Sequence, residues 1–575
     1  PMPANYHDKE SQAWRIADAL RGSVLAEDVY PLVYAARHAL KSEARGDSSE
    51  ESLLDAAEGD ADIKAAIEVA IRRLPGNFSI DQLLDIVGGL DENSVNAYLQ
   101  QAPLSRGIFG GENSTPDGIA KLVLALLDIN GHDRVIDYGC GKGDFLEMAY
   151  AQCPAADYLG VDVNPGVLAV AKMRSKTISS KVDYAVDDLF RYYEENIAGN
   201  PVNKAFSNYP WGLRTKNLRG TSKYVDNVLK GQERYGRPSS ADWVFNRVLV
   251  DSLAANGTAV AIMSDGACFN GVDRRVREYF VKNGFIKAIV ALPKGVFAPY
   301  TMIPTSLVVL CPGGAKEIRF VDASDLGTSN RRGCSLDDDA VAAIIERMSI
   351  DSERSVSKAM NEVAAREYDL SARRYLEKEI EVPNGVALGS VSAITRGVLV
   401  KAADLDALFC QEDTGISYLE LRNISDGCID DELPNLKELN ARLERGCVED
   451  GDLLISKSGA PFKVAVAEVP EGRKILVKDN LYIVRVDREK INPYYLAAFF
   501  ASPLGRETLA RGAVGTAIPN VPIRALSSMK VPLESAERQK EVANAYLAKI
   551  DEIKVLKLRL NRARQEVADL FSEEG

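Results

Sequence analysis

A chain of 575 residues with 46% apolar and 27% charged side chains has the make-up of a globular protein too long for one core, and three or four structural units are expected. The formal charge of −13 argues against a protein that coats nucleic acid indiscriminately, although it leaves room for a local basic surface. Three histidines outside any recognisable motif and eight cysteines without C-x-x-C spacing speak against a histidine base, a zinc centre or a redox pair, so reduced, mostly buried thiols and no metal are expected. Apolar runs such as 258–263 and 306–311 fall short of the roughly eighteen residues of a membrane span. His7, Asp8, Lys9 and Glu10 precede any apolar stretch, and a cytoplasmic protein is expected.

In chain order, 1–105 reads as a helical domain, with Ala, Leu and Ile at helical spacing over 12–40 and 62–71 around an acidic stretch at 43–60. From 106 to about 313 short apolar strands alternate with helices, the rhythm of an open parallel sheet; the candidate strands are 134–137, 158–163, 204–208, 258–264, 286–292 and 306–311. A polar, helical 336–379 leads to Val382-Pro383-Asn384-Gly385, which reads as a linker. Short β-type runs follow at 418–421, 452–455, 464–469 and 481–486. From Ser535 a long charged helix carries a narrow stripe of Ile550, Ile553, Leu556 and Leu560, suited to helix pairing within the chain or between chains, with packing on its own domain as the plain alternative. The expected fold is multidomain: a helical N-terminal domain (1–105), an α/β Rossmann-like domain (106–380), an α+β domain (381–534) and a coiled-coil-type helix (535–575).

Asp137 ends the first strand, and Gly139, Gly141 and Gly143 form a G-x-G-x-G turn before a helix, where the backbone must bend sharply and approach a ligand without a Cβ in the way. This spacing differs from the G-x-G-x-x-G of dinucleotide sites and has the form of the turn that binds S-adenosylmethionine. Asp162, at the next strand end, is placed to accept from both ribose hydroxyls. Asp187 can accept from the cofactor's adenine amino group while Phe190 packs on the ring, with Asp188 as a rival to Asp187.

Asn208-Tyr209-Pro210-Trp211 is a near-match to the N/D-P-P-aromatic signature that holds a planar amine for methylation. The N6 of adenine is a poor nucleophile because its lone pair is delocalised, and two acceptors aimed at its protons direct that pair outward. Asn208 would offer its side-chain oxygen and Tyr209 its main-chain carbonyl; Pro210 would stiffen the turn, and Trp211 would stack on an extruded base. Over 204–237 Lys204, Arg214, Lys216, Arg219, Lys223, Lys230, Arg234 and Arg237 face only Asp226 and Glu233, a basic stretch suited to a polyanion.

On these residues the region 106–376 resembles the modification subunit of type I restriction-modification systems, an adenine-N6 DNA methyltransferase. Ser114-Thr115-Pro116 matches the family's Thr-Pro motif, which implies contact of Thr115 and Pro116 with the amino-acid end of S-adenosylmethionine; a helix start capped by Thr115 is the plain alternative. The family has proline where this chain has Tyr209, which keeps the carbonyl and loses the rigidity of a double proline. Leu388-Gly389-Ser390-Val391, the run Asp450-Gly451-Asp452 through Gly459, and Ser535-Ala536-Glu537-Arg538-Gln539 are similar to one half of a type I specificity subunit. The resemblance implies a site-specific enzyme that carries its own target-recognition domain, binds double-stranded DNA, pairs with a second copy through the last helix, and leaves cleavage to a separate restriction or translocase subunit. Lys457, Lys463, Arg473 and Lys474 are candidate phosphate contacts beside Arg214, Lys216, Arg219 and Lys223. Competing readings are a catalytically impaired DNA-binding assembly subunit, and a methyltransferase acting on RNA adenine or protein glutamine.

Overall fold

The computed structural model describes residues 20, 24–42, 50–101, 115–233, 240–330, 333–376, 380–513 and 519–569. Its contacts divide into two units, Pro1–Glu377 and Lys378–Gly575. Among the described residues no helix is long and apolar enough to cross a membrane.

The first unit opens on helices Val29–Lys41, Ala61–Arg72, Ile80–Gly88 and Glu92–Gln101. Their starts follow local chemistry: Asp60 accepts from the Asp62 and Ile63 N–H groups, and Ser79 forms a reciprocal capping box with Gln82. Residues 12–19 and 21–23 of the helical stretch expected at 12–40, and 43–49 of the acidic stretch, lie outside the described residues. Leu32, Leu53, Ile63, Ile67 and Leu83 close a core that also takes in Val170 and Met173 of the later helix Pro165–Ile178, so the bundle shares a face with the sheet region.

A nine-stranded sheet follows, built from β1 (Arg134–Tyr138), β2 (Asp157–Asp162), β3 (Val182–Val186), β4 (Val202–Ser207), β5 (Leu253–Ser264), β6 (Ile286–Ala291), β7 (Thr305–Leu310), β8 (Glu317–Asp322) and β9 (Ser355–Ala359). The spatial order is β9-β8-β6-β7-β5-β4-β1-β2-β3. The expected open parallel sheet is corrected here to a mixed one: β7 runs antiparallel to both β5 and β6, and β9 antiparallel to β8. Strand direction leaves no trace in an apolar run; every residue of β7 is buried, and such a strand reads alike either way. The expected helical 336–379 likewise holds β9 in addition to the helix Asp338–Ser349.

Helices α1 (Asp117–Leu127), α2 (Asp144–Gln152), α3 (Pro165–Ile178) and α4 (Asp242–Ser252) pack on this sheet. The last is nearly engulfed, with Trp243, Asn246 and Leu249 all at 0% exposure.

The second unit holds a four-stranded sheet in the order Ser392–Arg396, Leu481–Val486, Leu453–Ser456, Val464–Val466, and a five-stranded sheet centred on Ile416–Leu419 and Lys474–Val477. The segment read as a linker is tied in, because Gly385–Ala387 pairs antiparallel with Lys530–Pro532. Helix α5 (Ala536–Asp569) is anchored at its start by Gln539, 5% exposed, whose amide accepts from the Asn492 N–H (2.8 Å) and donates to the Lys490 and Glu534 carbonyls. Ala543 and Ile550 are buried, whereas Leu556, Leu558, Leu560 and Val567 are at least half exposed. The early part of the stripe thus rests on its own unit, and the later part does not.

Asp242, 1% exposed, opens α4, and its Oδ2 accepts from the Ser264 hydroxyl at 3.1 Å. Among the described residues its Oδ1 has no hydrogen-bond partner, and burial pushes the carboxyl up to about 6. In the folded state the acid therefore holds its proton through a pH range where the unfolded chain has lost it, so stability falls as pH rises from about 4 to about 6. Asp242→Asn removes that penalty: relative to the parent it gains roughly 1–3 kcal/mol at pH 8 and nothing at pH 3.5. Calorimetric midpoints at the two pH values check this, and an equal change at both contradicts it.

Candidate functional site

The chain runs outward from β1 through β2 to β3, then returns to place β4 on the other side of β1. Such a switch point opens a crevice beyond the carboxyl ends of the two strands. The glycine turn leaves β1 on one side of it, and Asn208 follows the end of β4 on the other.

Gly139, Gly141 and Gly143 all adopt left-handed backbone, at φ +78°, +55° and +77°. Gly143 starts α2, and a Cβ there would lie 2.2 Å from the Tyr184 hydroxyl oxygen, which donates to Glu147 Oε1 at 2.8 Å. At Gly139 a Cβ would meet nothing within 4 Å, so that part of the turn faces open space. Asp162 braces the turn: its Oδ2 accepts from the Gly141 N–H and its Oδ1 from the Asn164 N–H, both at 2.9 Å. A carboxylate has about four acceptor positions, so two protein bonds leave capacity for a ligand.

Asp137 is 2% exposed, and among the described residues its Oδ1 has no hydrogen-bond partner. Burial, reinforced by the Asp162 and Asp144 carboxylates, pushes its carboxyl well above the ordinary value. An under-satisfied acid at the root of an open glycine turn suits a ligand that brings its own donors.

The turn is also clasped to the helical bundle, a link the sequence did not disclose. Lys142 donates to the Gln101 carbonyl (3.2 Å), and Arg174 joins the Gln100 carbonyl and the Asp144 carboxylate, both at 2.7 Å.

The rival carboxylates after β3 separate in the structure. Asp188 is engaged as a helix cap, accepting from the Phe190 and Arg191 N–H groups, while Asp187 accepts from Arg191 Nε at 2.5 Å. Phe190 requires a correction. Its ring is 2% exposed and lies nearly parallel to Phe245 (5.4 Å) and Tyr224 (6.1 Å), so the core takes up the face expected to meet adenine. The apolar surface at these strand ends comes instead from Val163, 71% exposed beside Asp162, and Val186, 37% exposed before Asp187. A valine ending a strand reads as core, and nothing in the sequence pattern marks these two as exposed.

Asn208 Nδ2 donates to Thr115 Oγ1 at 3.2 Å, so the Thr-Pro pair lies against the Asn208–Trp211 motif. Pro116 stands immediately before α1, and Ser114 lies outside the described residues. Tyr209 points inward at 2% exposure: its hydroxyl donates to Asn246 Oδ1 (3.1 Å) and its ring stacks on Phe245 (4.8 Å, 15°). Burial raises the phenol, which stays a neutral donor. Pro210 is exposed, and the half-buried Trp211 is pinned by its Nε1 bond to the Ile262 carbonyl (3.0 Å) and an edge contact with Phe297 (4.8 Å).

Arg214, Lys216, Arg219, Lys223 and Lys230 are exposed in the segment that follows. Lys204 is not part of that surface, since its ammonium donates to the Leu127 carbonyl at 2.5 Å; Arg234 and Arg237 lie outside the described residues. In the second unit Lys457 is half-buried and Lys463 donates to the Leu421 carbonyl (3.0 Å). Arg473 and Lys474, expected at phosphates, pair with Asp413 and Glu444 in this structure.

Gly143→Ala sets a methyl against the Tyr184 hydroxyl and strains a left-handed backbone, which costs about 1–2 kcal/mol from the backbone alone. The denaturant midpoint should fall accordingly, and an unchanged midpoint would show that the turn tolerates a side chain there.

The N-6 DNA methylase family model matches residues 85–382. The type I restriction enzyme MpnII methylase subunit of Mycoplasma pneumoniae is 24% identical over 322 residues, covering 52% of this chain and 58% of that one. The EcoEI methylase subunit of Escherichia coli is 24% identical over 233 residues, 37% of this chain and 45% of its own. The chain thus spans about half the length of these curated relatives. Among solved structures, the type I restriction-modification methyltransferase subunit from Streptococcus thermophilus superposes with a TM-score of 0.49 at 16% identity, over 65% of this chain and 100% of that one. With the family model matched over more than half of its length, the chain belongs to the N-6 DNA methylase family.

Proposed function

We propose that this chain is a site-specific adenine-N6 DNA methyltransferase of the type I restriction-modification kind, using S-adenosylmethionine and carrying its own DNA-recognition module. The observation that carries the reading is the Asn208–Thr115 bond, which joins the amine-holding loop after β4 to the start of α1 at the mouth of the crevice that the glycine turn lines. When bound, the sulfonium supplies the electrophilic methyl group.

The protein's own part is positioning and electrostatics. Gly139, Gly141 and Gly143 offer a backbone surface, Asp162 accepts from ribose hydroxyls, Asp187 from the adenine amino group, and Asp137 with Thr115 and Pro116 borders the amino-acid end. Val163 takes the ring-packing role first assigned to Phe190. On the substrate side, the Asn208 amide donates through Nδ2 to Thr115 Oγ1, which ties its NH₂ end to the start of α1. Its oxygen and the Tyr209 carbonyl accept the two protons of the extruded adenine's amine, which turns the nitrogen lone pair toward the methyl group. Once the methyl is transferred the nitrogen is cationic and sheds a proton to solvent, so no histidine is needed. Trp211 offers a stacking face, and Arg214, Lys216, Arg219 and Lys223 meet phosphates. The recognition module is assigned to 381–534, with Lys457 and Lys463 toward DNA, and the exposed end of α5 is the surface through which a second copy would pair. Cleavage would fall to a separate restriction or translocase subunit.

The alternative of a catalytically silent assembly subunit rested on Tyr209 in place of proline. Its inward ring and its bond to Asn246 restrain the loop by packing, which supports an active enzyme.

Labelled-methyl transfer to plasmid DNA, with the modified positions mapped, tests the reading. Asn208→Ala is expected to lose at least a hundredfold in turnover with donor binding retained, and equal incorporation by both proteins removes Asn208 from the mechanism. Tyr209→Phe keeps the ring and deletes the buried bond; turnover should fall two- to tenfold while the donor's dissociation constant, read by calorimetry, stays within twofold.

A further inference from the structure

The connection between β6 and β7 carries an exposed apolar tip that nothing in the site accounts for. Tyr300, Met302 and Ile303 are 47%, 54% and 52% exposed within four residues. Neighbouring exposed apolar side chains are unusual on a free surface and mark something to be covered.

The tip is held in shape. The Ala298 N–H donates to the Gly295 carbonyl (3.0 Å), those of Tyr300 and Thr301 to the Phe297 carbonyl (2.9 and 3.1 Å), and that of Ile303 to Thr301 Oγ1 (3.0 Å). The Cys334 N–H reaches in to the Gly295 carbonyl (3.0 Å), and the Asp265 N–H binds the Pro304 carbonyl (3.0 Å). Because the backbone is already ordered, inserting this tip into a partner forfeits little conformational freedom.

Its place in the fold says what the partner is. Ser207 of β4 lies level with Ala261 of β5, and Ser264 with Thr305 of β7, so the connection entering β7 emerges at the same end of the sheet as Asn208. Phe297, three residues before Tyr300, touches Trp211 of the amine-holding motif. The segments that carry Trp211 and the tip are cationic in sequence: 209–225 and 292–304 contain no carboxylate, and Arg214, Lys216, Arg219, Lys223 and Lys294 are exposed within them. An apolar point in a cationic field suits a polyanion with an apolar interior, which describes stacked duplex DNA.

We infer that Tyr300, Met302 and Ile303 form a wedge that enters the base stack of duplex DNA where the target adenine leaves it, helping to drive the base out and filling the space it vacates. This rests on the methyltransferase reading above and adds to it a device for opening the duplex, distinct from the groups that hold the amine. The wedge acts on the helix and not on the extruded base, so its contribution should depend on how firmly that base is paired.

The test uses the full chain and a synthetic duplex containing the site mapped on plasmid DNA, in two forms: the target adenine opposite thymine, and the same adenine opposite an abasic position. For the double variant Tyr300→Ser/Ile303→Ser, kcat/KM on the paired duplex is expected to fall at least tenfold, and on the abasic duplex to stay within threefold of the parent. An unaltered thermal midpoint and donor affinity show that the fold and cofactor side are intact. Equal loss on both duplexes, or loss on neither, overturns the wedge and assigns the tip to another surface role, such as docking a protein. Failure of the parent to methylate either duplex, or full activity of Asn208→Ala, would instead overturn the methyltransferase reading itself.

Discussion

The hydrogen bond between the Asn208 amide and the Thr115 hydroxyl is the contact on which the site's geometry turns. Asn208 follows a strand in the middle of the sheet, whereas Thr115 stands before the helix that precedes β1, so the bond spans 93 residues of sequence. An amide has two ends of opposite hydrogen-bonding character, and here the hydroxyl takes the NH₂ end. Together with Asp162 bracing Gly141, it makes the crevice a framework of mutually fixed loop tips standing on a sheet.

Much of this framework was legible in the chain, and the gaps have physical causes. Strands β1, β2 and β4 to β7 lie within a few residues of the apolar runs that suggested them, because strands covered on both faces are written as nearly continuous Val, Ile, Leu and Ala. β8 and β9 were not singled out. Ser355–Ala359 is an edge strand with half-exposed Ser and Lys, and Glu317–Asp322 opens and closes on charge. The glycine turn could be read because its requirement is local, three glycines in left-handed backbone after a strand. Choosing between Asp187 and Asp188 required seeing which one caps a helix. Assigning Phe190 to a ligand failed because an aromatic side chain after a strand end can turn either way, and the partners that turned it inward, Phe245 and Tyr224, lie more than thirty residues on.

The charge distribution follows the same logic. A net charge of −13 repels a polyanion at long range, yet the loops after β4 and β6 present cations without carboxylates. At physiological salt, fields fade over about 8 Å, so the far acidic surface matters less at the crevice than the few lysines and arginines of those loops. The second unit reads differently: Arg473 and Lys474 already have carboxylate partners, so their charge is partly neutralised at home.

A pair of prolines stiffens a loop through covalent rings and would do so in any scaffold. Tyr209 achieves restraint by reaching into the molecule, where Phe245 and Asn246 on a deeply buried helix receive it. The loop's shape is thus inherited from a distant part of the interior. Transplanting the four letters Asn-Tyr-Pro-Trp into a related enzyme would carry the spelling without the foundation, and a functional graft must bring Phe245 and Asn246 along.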